Sequence, residues 1–434
     1  MDHQGYCNIP SALFHWITFL AKSLPLRSVP TFIELLIGAM ISKSGFVVQT
    51  GLAIDLERHW TAYFKWLQHG RWSWLALARQ MAFLLVHWFP NNHCFLAIDD
   101  TIVFRTSTKA PGSRIHHQHA RKANRPNFVR GQGWVSLAAV IGSDQNHHAI
   151  PLLARLTRSN SNTSKLVQAK TLLCAVRGIF QNVTLLLDSW FMRATLLFFA
   201  LDAGYTVIGQ VRKDTALYDL PPRRPVGKRG RSKTYGDKFT PAIVATLPEI
   251  TASLWIYGKR QTVHYRSTFA LARFLKARTV LVVWARFDDG KGDISKPRLL
   301  LSTSTVITPE TVIIHYARRW SIEPMFNQIK NGWGWKETWQ QSRQVLHRWL
   351  HILFAAFALP QLMTLLADPL VTQLANLAPW RSNQPITAGL VRVGLHKQFF
   401  RVRIRRWWNP KSRIFRPPND LAAVSLTEKL KKAA

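Results

Sequence analysis

With 434 residues, the chain is long enough for about two or three domains with sizeable cores. It carries 58 Lys and Arg residues against 22 Asp and Glu residues, and a net charge of +36 favours a polyanionic partner, most commonly nucleic acid. The only 3 cysteines are far apart, which argues against a disulfide framework or a zinc finger and fits a reducing cytoplasm.

Residues 1–90 show helical periodicity with short Gly- or Pro-bearing breaks, and lack the pattern of a signal peptide at their start. The predicted helices span residues 13–24, 31–43, 53–66 and 73–87. We therefore predict a helical N-terminal domain over residues 1–90. Two interpretations stay open: a DNA-binding domain that inserts a helix into a groove, or a helical cap on the rest of the chain.

A short apolar run, residues 94–98, ends abruptly in Asp99 and Asp100. A buried strand that delivers carboxylates at its end is one way in which two-metal nucleases place their first ligand. The alternative is that the acids simply begin a turn. Hydropathy does not decide which of the two carboxylates would be the ligand.

The segment after this doublet alternates predicted strands and helices. Strands are predicted over residues 134–142, 149–156 and 183–187, and helices over residues 165–178 and 191–203. The last of these strands again ends in an acid, Asp188.

Residues 105–130 are rich in Lys, Arg and His, including His116, His117 and His119. Because no Cys or acid accompanies the histidines, a loop along DNA phosphates is favoured over a zinc site.

The stretch from residue 204 to residue 296 is predicted to be β-rich. The strands predicted from there onward span residues 206–211, 253–257, 262–266, 279–285 and 298–303. A basic linker interrupts them, with six cations in eleven residues. These cations are Arg223, Arg224, Lys228, Arg229, Arg231 and Lys233. They indicate a solvated loop that also neutralises DNA phosphates without reading bases.

Further along the chain, Tyr316, Arg319, Glu323 and Lys330 stand at helical spacing. Glu323 and Lys330, seven residues apart, fall within roughly 20° of each other around a helix, and Tyr316 and Arg319 are i, i+3 neighbours. All four side chains are predicted to face one ligand. A separate apolar face, made of Ile322, Met325, Phe326 and Ile329, would anchor the element to a core.

Pro324 indicates that this element consists of two helices rather than one. Thr308 is predicted to cap the first helix and Ser321 the second, so that Pro324 lies in a first turn, where proline is tolerated.

The C-terminal part begins with an apolar helix, predicted over residues 345–359, which would pack beneath this site. Polar residues interrupt the apolar run 350–377, which favours buried helices over a membrane span. Residues 367–434 form a predicted basic tail in which Arg alternates with aromatic residues over 399–408. Such a tail suits phosphate contact and base stacking, although an edge strand would have the same pattern.

The spacing Tyr-x2-Arg-x3-Glu-x6-Lys resembles the signature of a large group of bacterial insertion-sequence transposases, in which the Glu is the last acid of an Asp-Asp-Glu (DDE) triad. Asp99 followed by Thr101 is similar to the first acid box of these enzymes, and the run that starts at Asp188 is similar to the second. The resemblance covers residues 95–340 through these three separated boxes.

The fold that this resemblance implies is α/β, with an RNase H-like catalytic core, a helical N-terminal domain and an inserted β-rich domain. The core would comprise residues 91–203 and 297–366, the insertion residues 204–296, and the basic tail residues 367–434.

The resemblance also implies a reaction: metal-dependent strand cleavage at transposon ends, followed by strand transfer into target DNA. Asp99, Asp188 and Glu323 would hold two Mg²⁺ or Mn²⁺ ions, with Asp99 preferred over Asp100 because the family box reads Asp-x-Thr. Tyr316, Arg319 and Lys330 would contact phosphates.

The implied partners are double-stranded terminal inverted repeats and target DNA, bound by a homodimer at the nucleoid in the bacterial cytoplasm, without a membrane. Two alternatives remain: an RNase H-fold nuclease that does not join strands, and a catalytically inactive DNA-binding protein derived from a transposase.

Overall fold

The computed structural model describes residues 9–117, 126–157, 162–222, 231–288, 295–381 and 384–418. Helices make up the N-terminal segment: α1 Ser11–Ala21, α2 Val29–Ile41, α3 Val47–Ala53, α4 Trp60–His69 and α5 Trp74–Trp88. The predicted helix over residues 53–66 is confirmed only from Trp60, where α4 begins, because the chain is extended at Ile54 and the linker there is held by other parts of the chain. The backbone N–H of Asp55, for example, donates to the carbonyl of Val402.

A large mixed sheet follows. Its first part comprises β1 Cys94–Phe104, β2 Ser113–His117, β3 Phe128–Gly142, β4 His147–Leu156, helix α6 Asn162–Val176, β5 Val183–Leu187 and helix α7 Ala194–Asp202. Strand β1 lies between β3 and β5, antiparallel to the first and parallel to the second. The α/β class is therefore confirmed, and the neighbouring positions of β1 and β5 agree with an RNase H-like core.

The remaining strands continue the same sheet. They are β6 Thr206–Val211, β7 Leu217–Tyr218, β8 Ile250–Ile256, β9 Lys259–Ala272, β10 Arg278–Phe287 and β11 Arg298–Ser302, with helix α8 Pro241–Thr246 between β7 and β8. The central order is β2-β3-β1-β5-β6-β11-β10-β9-β7, with β4 paired to β3 and β8 paired to β9. The region predicted to be β-rich thus joins the central strands directly, through the parallel pairing of β6 with β5, and its strand β10 pairs with β11.

Strand β1 does not stop at the two acids. Its parallel pairing with β5 ends at Ile98 and Leu187, whereas its antiparallel pairing with β3 continues to Phe104 and Gly131. Asp99 and Asp100 therefore lie within a strand, at the point where one of its two neighbours ends. The predicted strand end was wrong. An apolar run shows where both faces of a strand stop being buried, but the strand can continue its hydrogen bonding to one neighbour beyond that point.

Helices α9 Pro309–Arg318 and α10 Ile322–Gly332 carry the third acid box. The predicted cap at Thr308 is confirmed, since its side chain accepts from the N–H of Thr311. The predicted cap at Ser321 is wrong: a 3₁₀ turn joins the helices, and the Ser321 hydroxyl donates to the carbonyl of Arg318.

The chain then enters α11 Arg343–Met363, followed by α12 Pro369–Ala375, α13 Ala388–Phe399 and the short strands β12 Trp408–Asn409 and β13 Ile414–Phe415. Helix α11 is long and apolar enough to cross a membrane, but its apolar stretch is wholly buried in the protein. It packs against α2 and β4, as a helix of the hydrophobic core does.

Three arginines of the predicted basic tail pair with acids of the N-terminal segment, and they lie in or next to a 3₁₀ turn rather than in an edge strand. Arg403 pairs with Asp55 and Arg406 with Glu57, both at 2.8 Å. Arg405 reaches the fully buried Glu34 at 2.9 Å. Burial raises the pKa of Glu34, and Arg405 opposes that rise.

Candidate active site

Three acids from distant parts of the chain meet at one edge of the sheet. Asp99 is on β1, Asp188 directly follows β5, and Glu323 is in the first turn of α10. Because Ile98 is in register with Leu187, the residues that follow them, Asp99 and Asp188, lie on neighbouring strands at the same level.

The Arg319 guanidinium joins two of these acids. Its Nη1 donates to Oδ2 of Asp99 at 2.9 Å, and its Nη2 donates to Oε1 of Glu323 at 3.3 Å. Arg319 is 11% exposed and Asp99 15%, whereas Glu323 is 41% exposed, so the bridge is shielded from solvent at the Asp99 end and open at the Glu323 end. Arg319 therefore lies between the first and third acid boxes rather than on an open ligand-binding face.

Backbone N–H groups hold the second acid. Oδ1 of Asp188 accepts from the N–H of Phe191 at 3.0 Å and from that of Trp190 at 3.1 Å. Burial raises the pKa of Asp188, and the Phe191 N–H and the Arg319 charge oppose this rise. The turn after β5 thus gives this carboxylate a fixed orientation.

The Asp99 carboxyl is strongly perturbed by its surroundings. Burial raises its pKa to about 7; the Arg319 charge opposes the rise, and the Asp188 and Asp100 charges add to it. Burial alone would lower the pKa of Arg319, but Tyr316, Asp99 and the other acids raise it above its ordinary value. A buried carboxyl whose pKa is raised by burial and by neighbouring carboxylates is typical of a functional site.

Asp100 has a different partner, which no sequence motif indicated. Nζ of Lys165, on α6, lies 2.7 Å from Oδ2 of Asp100. The same ammonium lies 4.9 Å from the centre of the Trp190 ring. Lys165 belongs to no recognisable box, so only the three-dimensional contact reveals it.

Lys330 extends the polar face of α10 along β1. Its Nζ donates to the Thr101 hydroxyl and, at 2.9 Å, to the carbonyl of Ile102. Lys330 thus contacts β1 directly, whereas Glu323 is linked to β1 through Arg319, and Thr101 of the first box contacts the lysine of the third.

Tyr316 lies beneath Arg319 instead of beside it. Its ring is buried, with its centre 5.8 Å from the guanidinium carbon of Arg319, and its hydroxyl donates to the side chain of Gln210 on β6 at 3.3 Å. Burial raises the pKa of Tyr316, and the Arg319 charge opposes the rise. The expectation that Tyr316 faces the same ligand as Arg319, Glu323 and Lys330 is not met in this arrangement.

Arg105 is also buried, although the basic segment it begins was predicted to run along DNA. Its guanidinium donates to the carbonyls of Lys336 at 2.6 Å and Thr338 at 2.9 Å, and its Nε donates to Gln132 at 3.1 Å. Burial lowers the pKa of Arg105 to about 10. Arg105 thereby holds the loop after α10 against the end of β1.

The other predicted DNA contacts are described only in part. Arg231 and Lys233 of the linker are exposed, whereas Arg223, Arg224, Lys228, Arg229 and His119 lie outside the described residues. His116 is engaged with the carbonyl of Gly131 at 3.1 Å.

The donor set of the three acid boxes is all carboxylate, which suits the hard cations Mg²⁺ and Mn²⁺. Within the described ranges, however, no group of three His, Cys, Asp or Glu side chains is close enough to hold a metal ion. The physical reason at this site is Arg319, whose guanidinium lies between Asp99 and Glu323. The acids have the chemistry of a metal site, but the Arg319 guanidinium occupies the space between two of them.

A cavity of about 790 Å³ among the N-terminal helices, lined by Leu35 and Trp60, includes none of these acids.

Residues 90–359 match the family described as "Transposase DDE domain". No curated protein matches the chain. Among solved structures, the chain is similar to the crystal structure of the NurA nuclease from Sulfolobus solfataricus, with 11% sequence identity over 53% of this chain and 73% of that chain and a TM-score of 0.24. That structural likeness is too weak to support an argument. The family match, by contrast, spans more than half of the chain and all three acid boxes, so the chain belongs to the family of transposases with a DDE domain.

Proposed function

We propose that this protein cleaves DNA strands at the ends of a mobile element and transfers the freed 3′ ends into target DNA. The observation that carries the proposal is the convergence of Asp99, Asp188 and Glu323 at one sheet edge, with Arg319 bridging the first and third. Each acid comes from a separate box of the matched domain.

Within the family, we assign the chain to the group of bacterial insertion-sequence transposases with the Tyr-x2-Arg-x3-Glu-x6-Lys signature. In support, Arg319 and Lys330 both contact β1 around the first acid box. Tyr316 supports Arg319 from below through its ring.

Asp99, Asp188 and Glu323 would hold Mg²⁺ or Mn²⁺, with two ions expected. When bound, these ions would supply the activated nucleophile and stabilise the leaving 3′ oxygen. Asp99 is the better choice within the doublet, because it shares a guanidinium with Glu323 whereas Asp100 pairs with Lys165.

The role we assign to Arg319 is to exchange its carboxylate contacts for a DNA phosphate. Its planar fork now donates to two different carboxylates, and the same two nitrogens would donate side by side to a single phosphate. Lys330 would place a point charge near a flanking phosphate. The linker cations, from Arg223 to Lys233, would bind phosphates further away.

The proposed partners are double-stranded terminal inverted repeats and target DNA, bound by a homodimer at the bacterial nucleoid. The net charge of +36 supports a polyanionic partner. In this proposal residues 1–90 bind DNA, residues 91–203 and 297–366 form the catalytic core, and residues 204–296 are the insertion. The described part of residues 367–434 packs on the N-terminal helices.

The test is a strand-transfer assay with a pre-cut element end, taken from the inverted repeats that flank the gene, and a target plasmid. We expect Mg²⁺-dependent joined products from the parent protein and none from Glu323→Gln. Cleavage of an uncut end without joining would instead identify a nuclease, and binding alone would identify an inactive derivative.

A further inference from the structure

A further cavity, of about 620 Å³, opens beside the second acid box. Its wall includes Ser189, the residue that follows Asp188, so the cavity adjoins one acid of the proposed triad. Three arginines line it, and each lies beyond the end of a strand: Arg193 beyond β5, Arg212 beyond β6 and Arg273 beyond β9. All three are exposed, so a ligand in the cavity can reach them.

Two of these arginines are tied to the turns that carry them. Nε of Arg193 donates to the carbonyl of Trp190 at 3.3 Å, and the N–H of Trp190 donates to Asp188 at 3.1 Å. The N–H of Arg273 donates at 3.2 Å to the carbonyl of Ala216, which also lines the cavity. The turn that orients Asp188 therefore also anchors the guanidinium of Arg193.

Positive charge exceeds negative charge in the wall of the cavity. Among the described residues that line it, the only acid is Asp214. It lies 3.4 Å from Nε of Arg212, but the two side chains are 74% and 63% exposed, so water screens the pair. In the part of the chain that the structure describes, no acid lies within ion-pair distance of Arg193 or Arg273. Cations that converge on one cavity in this way favour an anionic ligand.

The cavity lies on the same edge of the sheet as the acids. Asp99, Asp188 and Arg212 lie on or directly after three neighbouring strands, β1, β5 and β6. Strands β5 and β6 are parallel, with Leu187 beside Gly209, so both run towards this edge. Strands about 4.8 Å apart place β6 roughly 10 Å from β1. Each nucleotide of a DNA strand advances about 3.4 Å, so that distance spans roughly three nucleotides.

We propose that this cavity binds a backbone phosphate of a DNA strand, roughly three nucleotides from the phosphate that lies at the acids. Arginine suits this ligand, because its planar fork donates two hydrogen bonds to one phosphate. Arg319 and Lys330 contact β1, so the cavity adds a phosphate contact on the β6 side of the acids. The inference rests on the proposed function, since it requires a DNA strand across the acids.

The first experiment measures the salt dependence of terminal-DNA binding by the full-length protein, without Mg²⁺. In the double variant Arg193→Gln/Arg273→Gln, we expect the slope of log affinity against log salt to fall by about 1, as for the loss of one phosphate contact. The variant Arg193→Lys/Arg273→Lys keeps both charges and should stay near the slope of the parent. Equal slopes in the Gln variant and the parent would overturn the inference.

The second experiment locates the phosphate. Terminal DNA is made with a single uncharged methylphosphonate linkage, placed in turn at each position near the cleavage site. For the parent, one linkage roughly three nucleotides from that site should weaken binding by about tenfold. The Gln variant should be insensitive to the same linkage, because the two changes remove the two partners of one contact. A Gln variant that stays as sensitive as the parent contradicts the assignment.

Arg177→Gln is the matched control. Arg177 is exposed and lies between α6 and β5, at the other end of β5 from the cavity. This variant should keep both the slope of the parent and its sensitivity to methylphosphonate. Thermal denaturation checks that every variant is folded.

Two other outcomes would have different meanings. Suppose that inorganic phosphate binds the parent without DNA, and that the Gln variant loses this binding but keeps the DNA slope of the parent. The cavity would then be a site for free phosphate, and the assignment to DNA would be overturned. A failure of the proposed function appears instead in the parent, which would bind terminal DNA without cleaving or joining it, and the two binding experiments would still decide the inference.

Discussion

Arg319 donates to Asp99 across 2.9 Å, although 220 residues separate them in the chain. The same guanidinium binds Glu323, so one side chain of the protein occupies the space between two acids of the proposed triad. This arrangement makes Arg319 both a competitor for metal ions and a candidate phosphate ligand.

For Arg319→Ala we expect opposite effects on metal binding and on catalysis. Without DNA, Mn²⁺ should bind more tightly, because Asp99 and Glu323 no longer share a cation. Cleavage should fall on the order of 10²-fold, because a charge beside the developing negative transition state is lost. Electron paramagnetic resonance titration and single-turnover cleavage measure the two quantities.

Bulk DNA affinity should barely move in that variant, since one lost phosphate contact lowers the salt slope by only about 1. Lys330→Ala should likewise lose catalysis more than affinity.

Joint neutralisation of the exposed Arg231 and Lys233 with the other linker cations is the matched control: it should weaken DNA binding at high salt and spare cleavage on saturated complexes. If Arg319→Ala loses affinity in proportion to cleavage, the site around Glu323 is only basic surface.

Glu323→Gln should stop metal-dependent cleavage and leave DNA binding nearly intact. The change removes a metal-binding charge at constant size and does not alter the basic surface. Nicking of terminal DNA in Mg²⁺, measured alongside filter binding, tests it. An appreciable residual nicking rate would show that Glu323 does not belong to the triad.

The two aspartates of β1 should differ in the same assay. Asp99→Asn should abolish cleavage, because Asp99 is the carboxylate that shares Arg319 with Glu323. Asp100→Asn should retain part of it, since Asp100 is bound to Lys165. The reverse ranking would move the first ligand to Asp100 without changing the class of enzyme.

A buried histidine should make the fold sensitive to mild acid. Burial lowers the pKa of His351 to about 4, and its Nε2 accepts from the N–H of Ala154 at 3.3 Å, which a protonated ring cannot do. In the unfolded chain the histidine has its ordinary pKa of 6.5, so this contribution to stability is present above that pH and is lost as pH falls from 6.5 towards 4. The shift corresponds to roughly 3 kcal/mol of unfolding free energy.

Urea denaturation at several pH values between 7 and 4 measures this loss. His351→Gln should be less stable at pH 7 and should show a shallower pH dependence. The exposed His15→Gln serves as the control and should retain the slope of the parent. An unchanged slope in His351→Gln would assign the acid sensitivity to other groups.

Short apolar runs with abrupt polar ends predicted parts of the sheet well. The bounds of β5 and β6 agree with the prediction to the residue, because both strands are buried and bordered by turns. Thr308 followed by a proline likewise predicted the start of α9. In each case the sequence pattern is local, and contacts with distant parts of the chain do not override it.

The predictions that failed depended on partners far away in the chain. The continuation of β1 past Asp100 depends on one-sided pairing with β3. The contact of Lys165 with Asp100 has no local signature, and nothing near Arg405 in the chain indicates that Glu34 will neutralise it. Residue spacing therefore predicted the acid boxes together with Arg319, but not the cations Lys165 and Arg405, which pair with acids far away in the chain.

The pairing of Arg405 with the buried Glu34 has a consequence for the order of synthesis. The helix that carries Glu34 leaves the ribosome hundreds of residues before its partner does. Until the last part of the chain emerges, that helix must either keep its carboxylate in water or take up a proton to bury it. The ion pair of Glu34 therefore forms only after residue 405 has been made, and a chain that stops before Arg405 can bury Glu34 only in its protonated form.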